Sequence, residues 1–442
     1  MSGPQLLLSA LLFAALILQA VLPTLRVLIV LSAAAFSCLL ATLLGVGTTH
    51  QLMAEVPWDV LILLVGLGLL SELLVESRLF GILAVRAARL SQARPSLVLC
   101  FFVVAMYLVS GLVNNLTALM LVLPVLHILL KLMGVHQRYL SWTLGLLLVA
   151  CNLGGAATPI GDFPAILLLG SGRMTFRAYL THAAPPTVIA LTILLAVVTL
   201  IIRPQRGLER DTLSARLSVQ VMNQLYRNVR LERRRFFPVA GLLTLMLMGW
   251  TLIPTSTGIS ADLICWLGVG TALLLNKHLG EQLVRRRVDM EAVLFLLALF
   301  VMVAAVRRTG MFVAVAHFLG TLPVSPLAQL AVFLCLAGVL TGIFSAGPSM
   351  AALLEVAHSL AQRLPPHAVY VGLALSVCAG SSLFLTAATS GPMAQALTER
   401  ADLRGAQGEP IRFGFFQFLP TGLLSFAVIQ LVALAYAAYS VR

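Results

Sequence analysis

The sequence predicts an all-α polytopic membrane protein. About 10–12 transmembrane helices are expected, with two re-entrant helical hairpins in two inverted-topology repeats. Three observations carry this. Of 442 residues, 60% are hydrophobic and only 10% are charged, against about 25% charged in a soluble domain. Apolar runs near the ~20 residues that cross a bilayer recur along the whole chain. Some of these runs are interrupted by Gly, Pro, Asn and hydroxyl residues that no lipid-facing helix accommodates. A β-barrel would alternate apolar and polar residues in short segments, and this chain does not.

Taken in order, the first run is Leu6–Leu22. No Lys or Arg precedes Arg26 and no cleavage site follows, so it reads as a retained helix rather than a signal peptide. Leu25–Leu44 and Val60–Leu74 come next, around a loop, 45–57, without Lys or Arg. Segment 78–94 carries Arg78, Arg86, Arg89 and Arg94, and loop 131–138 carries Lys131 and Arg138. Positive loops face the cytoplasm, so the apolar stretch 95–130 begins and ends on one side. It is therefore a re-entrant hairpin turning at "SGLVNNLTA", Ser110–Ala118. A broken helix follows at about 139–170, interrupted by "CNLGGAATPIGDFP", and Pro185–Ile202 closes the first half, 1–202.

Residues 203–235 hold nine arginines against three acids. They read as a cytoplasmic linker on the membrane surface, part amphipathic helix ("LSVQVMNQLYRNV"), near anionic lipid heads. Loops of this kind account for the net charge of +13, and no nucleic-acid partner is implied. The second half, 236–442, starts with an extra span, Phe237–Ile253. Leu263–Leu275, Ala292–Val306, a hairpin at about 325–361, a broken helix at about 367–399 and Phe415–Ala438 follow. "SGLVNNLTALMLVLP" (110–124) matches "TGIFSAGPSMAALLE" (341–355). "CNLGGAATPIGDFP" (151–164) is echoed by "VCAGSSLFLTAATSGP" (377–392). Two repeats of opposite orientation, each with a broken segment, mark a secondary transporter with its site at the midplane. Arg307 and Arg308 run against the charge rule, at an expected outer end.

The candidate ion or substrate residues lie in the interruptions. In the first half they are Asn114, Asn115 and Thr117 at the hairpin tip, and Asn152, Gly155, Thr158, Gly161 and Asp162 in the break. In the second half they are Ser345, Ser349, Ser381, Ser382, Thr386, Thr389 and Ser390. Unwound backbone exposes carbonyls to a cation, and a helix starting from a break presents N–H groups to an anion. Glycine lets backbone approach a ligand closely. The competing reading is that small and polar residues only pack helices together. Asp162 could bind a coupling cation, carry a proton, or cap the helix starting at Pro164.

The remaining polar residues have simpler expectations. Glu355 and His358 share a helix face at i, i+3, but a second such pair for a metal is missing. His127 reads as a packing histidine. Glu72 and Glu76 should meet basic loop residues. The six cysteines lie in apolar runs without CxxC spacing, so neither a disulfide framework nor a metal site is indicated. No GxSxG or HExxH motif points to an enzyme.

"NNLTALMLVLP" and "NLGGAATPIGDFPAIL" resemble the Asn-Asn/Thr hairpin tip and the Gly-Gly-x-Ala-Thr-x-x-Gly-Asp-x-Pro-Asn break of the ion transporter superfamily. That group holds divalent-anion/sodium symporters, citrate-transporter-like permeases, arsenite permeases and NhaD-type antiporters. The resemblance covers nearly the whole chain in element order. It implies a scaffold plus a mobile domain with two opposed hairpins, an elevator-like mechanism and a homodimer. It also implies an ion or substrate site lined by Asn114, Asn115, Thr117 and Asn152 through Asp162. This chain departs from the pattern at Ala165, where the family has Asn, and at Ser345-Ala346-Gly347-Pro348, where the second hairpin carries Asn. The second break also lacks the usual Asn.

The expected function is secondary active transport of a small ion, preferably an anion, across the cytoplasmic (inner) membrane. Sodium or protons would couple it, with sodium near Asn115 and Asn152, and no organic cofactor is implied. The alternative is a sodium/proton antiporter titrating at Asp162. A non-transporting membrane protein is the remote alternative.

Overall fold

A computed structural model describes residues 3–22, 25–208, 220–221, 224, 231–253, 257–388, 390–404 and 409–441. Among these, regular structure is helical, and the one β feature is an isolated bridge between Arg404 and Pro410. Ten helices among the described residues are long and apolar enough to cross a membrane. The amphipathic stretch expected within the linker lies almost wholly outside the described residues.

The first half runs α1 (Gly3–Val21), α2 (Arg26–Leu43), α3 (Thr49–Ala54), α4 (Trp58–Glu76), α5 (Leu79–Leu90), α6 (Pro95–Ser110), α7 (Asn115–Met133), α8 (Gln137–Ala157), α9 (Phe163–Gly170) and α10 (Phe176–Ala196). A π-helical turn, Val197–Ile202, extends α10. The second half runs α11 (Arg233–Leu252), α12 (Ala261–Leu275), α13 (Lys277–Arg286), α14 (Met290–Arg308), α15 (Met311–Gly320), α16 (Pro326–Phe344), α17 (Ala346–Leu360), α18 (Pro366–Ser381), α19 (Gly391–Arg400) and α20 (Phe415–Val441). Helix starts follow local chemistry. Pro95, Pro326 and Pro366 open α6, α16 and α18, where a missing N–H costs nothing. Thr48 and Gln51 form a capping box on α3.

Packing across the halves is reciprocal. α2 packs on α14 while α12 packs on α4. Likewise α8 meets α20 while α18 meets α10, and α7 meets α19 while α17 meets α9. Each pair exchanges the matching elements of the two halves, as a pseudo-two-fold relation requires. The relation reaches single residues. A Cβ on Gly154 would strike the Tyr107 carbonyl, and a Cβ on Gly380 would strike the Gly338 carbonyl. Glycine at both positions lets α8 lie against α6, and α18 against α16.

Ion pairs sort to the two ends. Arg26–Glu291 (3.1 Å) joins the starts of α2 and α14. Arg287–Glu72 (3.9 Å) and Arg235–Glu76 (3.6 Å) lie at the same end, so both glutamates do meet basic residues beside the loops. At the opposite end Glu55 takes Arg307 at 2.6 Å and Arg308 at 2.5 Å, and Arg307 also reaches Glu355 at 3.3 Å. The two arginines that break the charge rule are thus neutralised by carboxylates from α17 and the turn after α3.

Short helices are the elements the apolar runs do not announce. α5 and α15 each follow a long helix through a left-handed residue, Arg78 (φ 62°) and Gly310 (φ 76°). α13 leaves α12 at a bend of 119°.

Candidate ion site where two broken helices meet

The first hairpin turns at Gly111–Asn114. Asn114 caps α7 by accepting from Leu116 N at 2.9 Å, and it is exposed. Asn115 is buried, 2% exposed. Beside it the Ser110 hydroxyl lies 2.5 Å from Asn115 Oδ1 and 2.6 Å from the Cys151 carbonyl. One hydroxyl proton cannot serve two acceptors, and Asn115 Nδ2 is buried without a partner. The Asn115 amide thus stands between the Ser110 hydroxyl and the Asp162 carboxyl group.

The first break runs between α8 and α9. Thr158 donates to the Gly111 carbonyl at 2.6 Å, tying the break to the hairpin turn. A Cβ on Gly155 would stand 2.7 Å from Asn115 Oδ1 and 2.8 Å from Asp162 Cβ, and one on Gly161 would meet the Ser110 carbonyl. Only glycine admits this approach. Asp162 is half-buried and extended (φ −142°, ψ 156°), and its Oδ1 accepts from Phe163 N at 2.8 Å. It therefore caps α9, which begins one residue before Pro164. Asn115 stands beside the same carboxyl group.

The second break closes the cluster. Asn152 donates to the Ser381 carbonyl at 3.2 Å and to the Ser382 hydroxyl at 3.1 Å. Ser390 lies beside Cys151, and its hydroxyl is buried without a hydrogen-bond partner. The second hairpin turns on a single residue, Ser345, whose φ of 72° and ψ of 167° few non-glycine residues adopt. Ser349 Oγ, one turn along α17, is also buried and unpartnered. The structure thus gathers Asn115, Asn152, Gly155, Asp162, Ser381, Ser382 and Ser390, with Thr158 and Gly161 fixing the hairpin against the break. Ser345 and Ser349 sit at the second hairpin's turn, where Gly347 faces Phe163 of α9. Asn114 and Thr386 are exposed, Thr117 is half-buried in the first turn of α7, and Thr389 lies outside the described residues.

Sequence reasoning passed over Ser110 and Cys151, which link hairpin to break. It also passed over Tyr179, whose hydroxyl donates to the Ala156 carbonyl at 2.9 Å as α8 ends. A serine just before the turn glycine was the available signal. His127 bonds Thr398 at 3.2 Å and so packs α7 on α19. Glu355 pairs with Arg307, and His358 with Arg173 and Tyr370. Among the described residues no His, Cys, Asp and Glu cluster could hold a metal ion.

Hairpin tips and unwound helix middles meeting inside a multi-pass helical bundle define a membrane transporter fold. Solved structures agree. The YdaH transporter of Alcanivorax borkumensis superposes with a TM-score of 0.59 at 15% identity, covering 99% of this chain and 98% of that one. MtrF of Neisseria gonorrhoeae, described as one of a class of antimetabolite efflux pumps, gives 0.59 at 14%, covering 100% and 95%. The chain belongs to the citrate transporter family (CitMHS), whose sequence pattern matches residues 13–380. An uncharacterized transporter of Mycobacterium tuberculosis is 25% identical over 87% of this chain and 86% of its own. The magnetosome protein MamN of Magnetospirillum gryphiswaldense is 25% identical over 92% and 93%.

Proposed function

We propose that the chain is a secondary active transporter of a small inorganic or organic anion. It would work in the cytoplasmic membrane by elevator-type alternating access, coupled to sodium or protons, with residues 203–235 in the cytoplasm and two copies forming a homodimer. The observation that carries this reading is the Asn152 bond between the two breaks, which sets both unwound segments around one point.

The two halves offer different chemistry. Around Asn115, Gly155 and Asp162 the groups are a carboxylate, an amide oxygen and unwound carbonyls, which suit a sodium ion or a proton. Asp162 already occupies the N-terminus of α9, so an anion gains little there. In the second half α17 and α19 begin without a side-chain cap. The unpartnered hydroxyls of Ser349 and Ser390 accompany these starts. Hydroxyl donors at the positive end of a helix suit an anion, and they carry the weight here, since Pro348 and Pro392 have no N–H and Gly391 N already donates to the Ala388 carbonyl at 3.1 Å. The cation is therefore assigned to the first half and the anion to the second. Asp162, a carboxylate in a break, is the observation that favours the second reading, a sodium/proton antiporter.

Proteoliposome flux separates the two. Under the main reading citrate or another anion in a panel is taken up, driven by a sodium or proton gradient. Sodium–proton exchange with no anion flux would replace it with the antiporter.

A further inference from the structure

On the face opposite the basic loops lies a cavity of about 850 Å³. Its walls come from α4, α11, α12 and α14 on one side, and from α9, α17 and the start of α10 on the other. Arg307, Glu55 and Glu355 in its lining are occupied with one another. Four charged side chains of the lining are left: Asp59 and Asp262, and Arg173 and Arg177. Among the described residues no ion pair engages any of them.

The two signs sit on different elements. Asp59 and Asp262 lie in the first turns of α4 and α12, near enough to repel each other. Asp262 Oδ1 is buried without a partner. Arg173 and Arg177 flank the turn from α9 into α10. Arg173 gives Nη1 to the His358 ring at 2.8 Å, yet its Nε is buried and unpartnered. A buried charged group left without its partner costs more than the ~1–3 kcal/mol of a neutral one. Between these groups are apolar surfaces: Phe300, and Trp250 stacked on Phe176 at 5.2 Å.

We infer that this cavity binds a zwitterion, its ammonium held by Asp59 and Asp262 and its carboxylate by Arg173 and Arg177. An anion alone would leave the aspartate pair uncompensated, and a cation alone would leave the arginines so. A solute carrying both charges compensates the aspartate pair and the arginine pair together. The volume lies within the range of small-molecule sites, with room for an apolar body against Trp250. Neither Asn115 nor Asp162 lines the cavity, so this site is separate from the ion site and does not rest on the proposed transport function.

The test is calorimetry on the purified full chain in lipid nanodiscs. The probes are a homologous series of ω-amino acids, with the alkylamine and the alkanoate of each length as controls. One chain length should bind saturably, at least about tenfold tighter than its amine or its carboxylate. Asp262→Asn and Arg173→Gln should each weaken it by about tenfold or more. Equal binding of zwitterion and amine, or of zwitterion and carboxylate, would overturn the inference, as would no binding by any member. Affinity unchanged in both variants would also overturn it. If the variants unfold, the comparison of the three probe classes on the unaltered chain decides.

Discussion

Asn152 of the first break hydrogen-bonds both the Ser381 carbonyl and the Ser382 hydroxyl of the second, at 3.2 and 3.1 Å. The contact joins the two breaks. Asn152→Ala would strip both acceptors of this donor in a buried place, at a cost of about 1–3 kcal/mol. Uptake in proteoliposomes should fall by about tenfold or more, while the protein still folds. A variant with full uptake would show that the two breaks need not be tied.

Close helix packing makes a stability prediction. Gly154→Ala and Gly380→Ala each drive a methyl into a backbone carbonyl of the neighbouring helix. Each should lose about 1–3 kcal/mol, the usual cost of overpacking. Gly270 has open space where its Cβ would go, so Gly270→Ala should be neutral or slightly stabilising. Thermal unfolding in a fixed detergent compares the three, and equal effects would sink the packing argument.

The ionic cluster of Glu55, Glu355, Arg307 and Arg308 predicts a pH dependence. Burial alone would push the Glu55 carboxyl up. The hydrogen bonds and positive charges of Arg307 and Arg308 outweigh it and hold the pKa below the ordinary glutamate value. A depressed acid contributes stability above its unfolded pKa of about 4.3 and loses it as pH falls through its lower folded value. Glu55→Gln should therefore melt below the wild type at neutral pH, with the gap closing under acid. A gap that stays constant from neutral pH to acid would remove Glu55 as its source.

Among the described residues, Arg307–Glu355 is the ion pair that links a hairpin helix, α17, to α14 of the surrounding helices. If the hairpins move relative to α14, this pair must part. In a background without the six native cysteines, a short thiol cross-linker between Arg307→Cys and Glu355→Cys should block uptake, and cleaving the linker should restore it. Undiminished uptake in the cross-linked protein would exclude that motion.

Much of the fold was legible because lipid imposes a simple code. Apolar runs give the spans, and the arginines of 78–94 and the Lys131–Arg138 loop require that the segment between them turn back. The match of "SGLVNN" with "TGIFSA" aligns Tyr107 with Gly338, that of "CNLGG" with "VCAGS" aligns Gly154 with Gly380, and each half brings its own two residues into close contact. Short α5, α13 and α15 were not legible, since their length and composition fall below any spanning signal. Within the site, residue types marked the breaks, but roles depend on distances between elements. The cap from Asp162 to Phe163, the hub at Ser110 and the reach of Asn152 to Ser381 are facts of packing. Arg307 and Arg308 look anomalous in sequence only because Glu55 and Glu355 are far away in the chain.

The most direct test is to separate cation from anion by half. Uptake of a transported anion would be measured against sodium or proton concentration and against anion concentration. The variants would be Asn115→Ala, Asp162→Asn, Ser349→Ala and Ser390→Ala. The first two should shift the cation dependence by about tenfold or more, with the anion KM nearly unchanged, and the two serine variants should do the reverse. All four moving the same parameter, or sodium–proton exchange with no anion flux, would contradict the division of the site between the halves.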